Sequence, residues 1–528
     1  MNYSIVWFKR DLRVNDNEAL SRALAQGPVL CLYILEPSYW GAADVSQRQL
    51  DFLKESLRDL ARALKQIQLN LCLMTGEVTD VLAKIYEVMA FSQVYSHMET
   101  GNLVTYKRDT TVAKWFASNN IIWFEHRQHG VLRGLKKRNA WNTNWAQLMH
   151  SPQFTVGCTI VDKTMQGTLH KMFPCESWPQ TSGWFRNNES CSQPCTQPQA
   201  GGRAAGLTSL NSFLGSRSGS YVGGISSPLK ATTACSRLSP YLSLGCLSMR
   251  EVVQATQAQI NDESTNAYKK RGLNNFLSRL HWHCHFIQKL ESEPEIEWRN
   301  MHTGFDGLRE PEFNPEHFTR LISATTGWPL VDACVTMLKE TGWLNFRMRA
   351  MLISVASYPL WLHWREVGNW LASQFVDYEP GIHWSQVQMQ AGTTGINTTR
   401  VYNPIKQAMD HDPDGQFVRR WLPVLQKVPD KWIFEPWKMP QDVQLECGVI
   451  LGRDWPLPIV DLTQATRESK KRFHDRKKAS YDTALNSKIL EKHASQSTAS
   501  SPKRFSSQPR KTKNKEPQPK ASQLQFDF

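Results

Sequence analysis

Residues 325–365 read TTGWPLVDACVTMLKETGWLNFRMRAMLISVASYPLWLHWR, residues 375–404 read FVDYEPGIHWSQVQMQAGTTGINTTRVYNP, and residues 410–425 read DHDPDGQFVRRWLPVL; together these blocks decide the fold. Apolar residues recur at helical spacing from Val331 to Leu338, and a second run from Arg347 to Trp361 has few polar interruptions. Segments that are apolar on most sides of a helix lie in a core. We therefore expect two buried helices here.

Four charged residues interrupt this apolar background: Arg347, Arg349, Asp377 and Glu379. A protein core rejects charged side chains unless each one meets an opposite charge or a polar ligand. An apolar setting that contains several charges therefore predicts a large bound cofactor that contacts them.

The first 130 residues alternate between short apolar runs and helix-like segments. The predicted strands are Ser4–Phe8, Pro28–Leu35, Asn70–Met74, Gln93–His97 and Ile121–Glu125, and the predicted helices include Gln47–Gln66, Val78–Ala90 and Val104–Asn119. This alternation predicts a doubly wound parallel α/β sheet. No GxGxxG motif follows the first strand, so the expected cofactor is assigned to the C-terminal half.

The composition favours a polyanionic partner and a reducing compartment. The chain has 62 Lys and Arg against 48 Asp and Glu, a formal net charge of +14, and part of this excess falls in the C-terminal tail. A basic surface attracts nucleic acid. The eleven cysteines contain no CxxC pair, which is typical of reduced thiols in the cytoplasm. No apolar run reaches the about 18–20 residues that cross a bilayer, so we expect no membrane partner. We expect a cytoplasmic monomer without a metal site.

The motifs TGWPLVDA, TGWLNFRMR, Asp377-x-Glu379, VYNP and DPDGQFVRRWLP, together with VWFKRDLRVNDNEAL near the N-terminus and CSRLSPYLSLG from Cys235, resemble the photolyase/cryptochrome family. The resemblance implies an α/β antenna domain followed by an all-α FAD-binding domain. We divide the chain into an antenna domain (1–130), a loop-rich connector (131–220), a helical FAD-binding domain (221–460) and a basic tail (461–528).

The resemblance also implies which residues hold FAD. Arg349 and Asp377 are expected to form an ion pair beside the isoalloxazine ring, and His383 is expected opposite its N5 atom, where it could donate a proton. Hydroxyl and backbone N–H groups around Ser236 are expected to bind the diphosphate. The expected cofactor-binding residues are Tyr221, Ser236, Arg237, Leu238, Ser239, Arg347, Arg349, Asp377, Glu379 and His383.

The helix-like stretch from Asn274 matches the part of the family that lines the DNA-lesion pocket. Trp282 matches a tryptophan on which the lesion stacks, whereas Arg279 replaces an acidic residue that assists repair. His281 and His285 share one face of a helix and His283 points away. We include Trp282, Arg279 and His283 among the candidate catalytic residues.

A chain of three tryptophans usually passes electrons to the flavin in this family. Trp364 occupies the middle place, but the other two places hold Val387 and Leu321. The usual route is therefore broken, and the candidates for a replacement route are Trp328, Trp343, Trp361, Trp370 and Trp384.

The resemblance implies light-driven electron transfer from reduced FAD that splits cyclobutane pyrimidine dimers in UV-damaged DNA. The alternative is a cryptochrome-type blue-light receptor that binds FAD and repairs nothing, which Arg279, His383 and the broken tryptophan chain favour. A flavin oxidoreductase that uses NAD(P)H is disfavoured because no dinucleotide fingerprint is present. A second, antenna chromophore stays open: Val104 and Thr105 replace the folate-binding pair, which leaves a deazaflavin, a flavin or none.

The C-terminal tail is rich in Lys, Ser and Gln from Thr463 onward, and we expect it to be disordered. Its last six residues, QLQFDF, contain Gln523, Phe526 and Phe528, which resemble the peptides that dock bacterial repair proteins on the replication sliding clamp. We therefore include the sliding clamp among the expected partners.

Overall fold

The computed structural model describes residues 3–135, 138–156, 163–173, 177–179, 183–185, 193–396, 401–480 and 482–493. Its N-terminal region is a parallel five-stranded sheet in the order β3-β2-β1-β4-β5. The strands are β1 Ser4–Phe8, β2 Val29–Leu35, β3 Leu71–Thr75, β4 Gln93–His97 and β5 Ile122–His126. The doubly wound α/β prediction is confirmed, and each predicted strand end lies within one residue of the observed end.

Helices surround the sheet and form almost all of the rest of the described chain. Those of the N-terminal region are α1 Glu18–Leu24, α2 Pro37–Trp40, α3 Gln47–Gln66, α4 Val78–Val88 and α5 Leu103–Ser118. The connecting segment contains α6 Trp141–His150, α7 Lys163–Met172 and α8 Arg203–Gly215.

The C-terminal region is helical, as predicted. Its helices are α9 Tyr221–Gly224, α10 Ala231–Ala234, α11 Ser239–Ser243, α12 Met249–Asn261, α13 Ala267–Ser292, α14 Pro315–Ile322, α15 Pro329–Thr341, α16 Phe346–Ser357, α17 Trp364–Gln374, α18 Pro380–Ala391, α19 Pro404–His411, α20 Gln416–Trp421, α21 Gln441–Cys447, α22 Leu462–Ala479 and α23 Thr483–His493. Short 3-10 turns lie at Arg138–Ala140, Arg217–Ser220, Pro294–Glu297, Thr303–Phe305, Glu310–Glu312, Pro423–Leu425, Asp430–Trp432 and Pro436–Lys438.

The central strand β1 is buried on both faces because its side chains alternate between two cores. Ile5 and Trp7 pack with α4 and α5, whereas Val6 and Phe8 face α1, α3 and helices of the C-terminal region. The second core therefore joins the two regions, and the Phe52 ring of α3 lies 5.6 Å from the Tyr241 ring of α11.

The two buried helices predicted from the deciding stretch are α15 and α16. Both belong to the main core of the C-terminal region, where Met348, Met351 and Val355 have no exposed surface. α15 ends at Gly342, whose φ of +67° is favourable for glycine and turns the chain directly into α16.

The tail prediction was wrong for residues 463–480 and 482–493, which include the helices α22 and α23. The sequence suggested disorder because α22 carries few apolar residues, but Phe473 stacks on Phe305 at a ring distance of 5.0 Å and contacts Tyr358. Arg476 also donates to the Gly304 carbonyl at 2.7 Å. Contacts supplied by the folded protein thus order this helix. Gln523, Phe526 and Phe528 lie outside the described residues.

The loop expected over 151–220 also contains regular structure, since α8 packs beneath the sheet with Leu210 and Phe213 in the core. No helix in the described ranges is long and apolar enough to cross a membrane.

Candidate functional site

One cavity of the C-terminal region has an empty volume of about 1580 Å³, its open mouth included. α13, α16 and α18 supply half of its lining residues. It brings together Tyr221, Ser236, Ser239, Arg279, Trp282, His283, Arg347, Arg349, Asp377, Glu379 and His383 from the expected site residues. Arg237, Leu238 and Trp364 are not among its lining residues within the described chain.

One face of α18 forms a wall of this cavity. Glu379, just before the helix, is followed by Ile382, His383, Gln386 and Gln390, which lie on the same side because an α-helix has 3.6 residues per turn. The sequence analysis missed both glutamines, although this spacing was available. Both side-chain amide atoms of Gln386 are buried without a hydrogen-bond partner among the described residues, which indicates a polar ligand.

The Arg349 guanidinium and the Asp377 carboxylate form a bidentate ion pair at the cavity wall. The two N–O distances are 3.0 and 2.8 Å. Arg349 also donates to the Leu344 carbonyl at 2.8 Å and lies 3.9 Å above the Phe375 ring. A planar guanidinium held on three sides is fixed in orientation, so it presents a defined positive charge to whatever fills the cavity.

Glu379 is paired with Arg10, a residue of the N-terminal region. The shortest N–O distance is 3.1 Å; the Glu379 carboxyl group is buried and the Arg10 side chain is mostly buried. Burial raises the pKa of Glu379 to about 7 despite the opposing attraction of Arg10. This carboxyl group therefore exchanges its proton near neutral pH.

His383 is held in one tautomer by the backbone. Its Nε2 donates to the Gly368 carbonyl at 2.9 Å, which leaves Nδ1 as an acceptor. Burial lowers the pKa of His383 to about 4, so the ring is neutral at neutral pH. The neutral ring has its one proton committed to Gly368 and none available at Nδ1, so the structure does not support the proton donation expected from the sequence.

One face of α13 forms another wall of the large cavity, in addition to the wall formed by α18. Arg279, Trp282, His283 and Phe286 follow the spacing i, i+3, i+4, i+7. The Trp282 and Phe286 rings stack at a centroid distance of 5.5 Å. Phe286 was missed in the sequence analysis, although the same spacing predicts it. Burial lowers the pKa of His283 to about 4.

His281 and His285 lie on the other face of α13, as predicted. Their rings lie 4.9 and 5.9 Å from the Trp141 ring of α6. The described residues contain no group of three His, Cys, Asp or Glu side chains arranged to hold a metal ion.

The expected diphosphate-binding segment is only partly directed at the cavity. Ser236 and Ser239 line it, but the Arg237 side chain turns away, lies 3.9 Å from the Trp343 ring and donates to Gln199 at 2.9 Å. Leu238 is buried in the core. Arg237 has a φ of +61°, and this left-handed backbone places its side chain on the opposite side from the two serines.

Trp364 does not line the cavity; the Trp384 ring lies between it and the lining residues His383 and Tyr378. Its Nε1 donates to Asn300 at 2.7 Å, and its ring lies 5.9 Å from that of Trp384. Trp384 lies 4.9 Å from the His383 ring and donates to the Tyr378 hydroxyl at 3.1 Å. His383 and Tyr378 both line the cavity, so Trp384 connects Trp364 to it.

A second cavity lies beside the carboxyl ends of β1 and β2. Arg108 crosses it and binds Glu36 at 2.8 Å and Glu99 at 2.5 Å. Burial raises the pKa of Glu36 to about 7. The Thr105 hydroxyl donates to the Asn102 carbonyl rather than into this cavity.

Residues 4–137 match the family model described as DNA photolyase, and residues 276–475 match the model of the FAD binding domain of DNA photolyase. A cryptochrome DASH from Gloeobacter violaceus is 27% identical over 494 residues, which cover 87% of this chain and 93% of the relative. A deoxyribodipyrimidine photo-lyase from Agrobacterium fabrum is 28% identical over 478 residues, which cover 87% of this chain and 94% of the relative.

Among solved structures, a bacterial class III photolyase from Agrobacterium tumefaciens superposes with a TM-score of 0.76 at 24% identity. The likeness covers 90% of this chain and 98% of that chain. It shows that the order of an α/β region and a helical region is shared.

Proposed function

Because this chain belongs to the photolyase/cryptochrome family, we propose that it is an FAD-dependent, blue-light-driven DNA photolyase that splits cyclobutane pyrimidine dimers. The observation that carries the proposal is that the stacked Trp282 and Phe286 rings line the same cavity as the Arg349–Asp377 ion pair. An aromatic surface for a flipped base and a charged wall for a cofactor thus meet in one space.

The donors and acceptors of the cavity fit a flavin nucleotide. The unpartnered amide of Gln386 and the Nδ1 acceptor of His383 suit a heterocycle with alternating donors and acceptors. Ser236 and Ser239 would hold phosphate oxygens, and Arg349 would stabilise negative charge on the ring system. When bound, FAD supplies the electron that dimer splitting requires and takes it back afterwards.

The remaining residues of α13 would hold the DNA lesion. Trp282 and Phe286 would exclude water and stack on the dimer, and Arg279 would meet its carbonyl oxygens or the adjacent phosphate. Neutral His283, with Nδ1 unpartnered among the described residues, would accept or donate one hydrogen bond to the lesion.

The second candidate function is a blue-light receptor that repairs nothing. Arg279 favours it, because a cation stands where repairing relatives place an acid. The separation of Trp364 from the cavity by Trp384 also favours it, because photoreduction would follow an unusual route.

Light-dependent repair of one defined cyclobutane dimer, placed in single-stranded and in duplex oligonucleotides, tests the proposal. FAD-loaded, reduced protein is expected to split the dimer into its two pyrimidines in light and not in the dark. Trp282→Ala is expected to weaken binding to damaged but not to undamaged DNA. A fully reduced, FAD-loaded protein that binds the dimer and leaves it intact in light would support the receptor instead. Chromophore content measured on the same sample would decide whether the second cavity also holds a flavin or deazaflavin.

A further inference from the structure

A small cavity lies behind the Glu379 carboxyl group, on the side of the sheet region. Its empty volume, the open mouth included, is about 300 Å³, and the enclosed part has room for little more than a single water molecule. It is lined by Lys9, Arg10, His97, Met98, Glu99, Thr100, Gln128, His129, Leu242, Ser243 and Glu379. Glu379 also lines the large cavity, so this one side chain faces both spaces.

Polar side chains continue from this small cavity to the protein surface. The His129 Nε2 and the Thr100 hydroxyl are 3.2 Å apart. The His97 ring lines the same space, and its Nδ1 is 2.7 Å from the buried Asp11 carboxylate, which leaves Nε2 for contacts with water. The His97 ring lies 6.5 Å from the His126 ring, and His126 Nδ1 is 3.4 Å from the partly exposed Glu18 carboxylate. We call Glu379, His129, Thr100, His97, His126 and Glu18 the polar seam.

Several atoms of the seam need water. Glu379 Oε1, His129 Nδ1 and His126 Nε2 are buried without a hydrogen-bond partner among the described residues. Leaving such atoms unsatisfied costs about 1–3 kcal/mol each, and a polar internal cavity is where ordered water satisfies them. Water in the small cavity would bridge the side chains of His129, His97 and Glu379 by hydrogen bonds.

We propose that the polar seam conducts protons between solvent at Glu18 and the Glu379 carboxyl group at the wall of the large cavity. Each transfer breaks one O–H or N–H bond and forms another, so one proton enters at the surface for each proton that reaches Glu379, and no electron moves. The purpose of this proton transfer rests on the proposed function. A cofactor that gains electrons in a buried site needs protons to balance its negative charge.

The protonation states of the seam suit this role. Glu379 exchanges protons near pH 7, and burial lowers the pKa of His97 and of His129, so neither histidine traps the proton as a stable cation. The charged and titratable groups that face the seam from the elements packed against it are Lys9, Arg10, Asp11, Arg13, Arg22, Glu99, Arg127, Arg133, His283 and Glu291.

Two variants interrupt the seam with little change of shape. His97→Gln and His126→Gln each keep hydrogen bonding at a position between Glu18 and the small cavity but cannot relay a proton. With the FAD-loaded protein reduced by light and an external amine donor, proton uptake followed with a pH-indicator dye is expected to slow about tenfold in either variant. His150→Gln, an exposed position on α6 that lies outside the seam, is the matched control and is expected to leave the rate unchanged.

A second measurement does not depend on the flavin. In the FAD-free wild-type protein, the ring N–H of His129 is expected to exchange with deuterated solvent faster than the ring N–H of His383, which is committed to Gly368. Slower exchange at His129 than at His383, or unchanged proton uptake in both variants at full flavin content, would overturn the proposal that the polar seam conducts protons. A wild-type protein that binds no flavin would instead overturn the proposed function and leave the exchange result standing.

Discussion

The guanidinium of Arg10 lies 3.1 Å from the carboxylate of Glu379 and also donates to the Tyr378 carbonyl at 2.9 Å. A residue from the loop after β1 thereby pairs with a residue that lines the large cavity of the helical region. The helical region alone would leave Glu379 as a buried carboxylate without its cation. The charge at this wall of the large cavity therefore depends on a contact from the N-terminal region.

Arg349→Ala is expected to reduce FAD retention about tenfold or more, because Asp377 is left as a buried, unpaired carboxylate. The measurement is flavin absorbance per protein after gel filtration. The double variant Arg349→Ala, Asp377→Ala removes both charges and is expected to be more stable to denaturant than the single variant. A single variant that keeps its flavin and photoreduces normally would show that the pair does not hold the cofactor.

Trp364→Phe and Trp384→Phe are each expected to slow photoreduction more than Trp282→Phe does, because Trp384 links Trp364 to the cavity-lining His383 and Tyr378. Trp282→Phe is expected to weaken binding to a dimer-containing oligonucleotide more than the other two. Flash photolysis and a binding titration measure the two effects. Equal effects of all three changes in both assays would remove this division of roles.

The pH dependence of stability is expected to become shallower in His383→Gln. The folded-state pKa of about 4 lies below the unfolded value of 6.5, so the unfolded chain binds the extra proton as pH falls through this window. His383 therefore lowers the free energy of unfolding by about 2 kcal/mol between pH 7 and pH 5. Urea titrations at the two pH values measure this loss, and His150→Gln serves as the exposed control. A variant as acid-sensitive as the wild type would contradict the buried, neutral assignment.

Phe473→Ala is expected to destabilise the protein by about 3–5 kcal/mol at most and to detach α22, because the ring is buried between Phe305 and Tyr358. Limited proteolysis should then cut within residues 462–480. Leu490→Ala, at a position that is 47% exposed on α23, is the control. If α22 in the Phe473→Ala variant resists proteolysis as well as in the wild type, its polar contacts alone hold it on the protein.

A peptide of residues 515–528 is expected to bind a bacterial replication sliding clamp. The two phenylalanine rings of its QLQFDF end would enter an apolar pocket, and the basic segment before them would follow DNA. Fluorescence anisotropy measures binding, and the change of Phe526 and Phe528 together to Ala should abolish it. Absence of binding by the unaltered peptide would end this proposal without affecting the flavin site.

Most of the confirmed predictions came from the periodic spacing of apolar residues along the sequence. The alternation of apolar runs gave the strands of the sheet, and helical spacing gave the buried helices α15 and α16. The same spacing contained Phe286 and Gln386, which lie one or two turns from Trp282 and His383 on the same helix faces. Neither residue belongs to a family motif, so motif matching alone does not identify them.

Orientation and tertiary contacts could not be predicted in this way. Arg237 and Leu238 are adjacent to Ser236, but a left-handed backbone at Arg237 separates their side chains from the cavity. The single ring of Phe473 gave no sign of order in a polar segment, because its partners lie more than one hundred residues earlier in the chain. Arg10 was likewise recognised only as part of a motif, since its partner Glu379 comes from the other region.

The ring of Tyr378 lines both the large cavity and the cavity crossed by Arg108. Its hydroxyl donates to Asp44 at 2.6 Å and accepts from Trp384, so its position is fixed from both sides. The Tyr378 side chain therefore borders both spaces, and a change in the contents of one alters the wall of the other. Binding energies in the two cavities should consequently be linked, and the effects of substitutions at Glu36 and at Asp377 should fail to add.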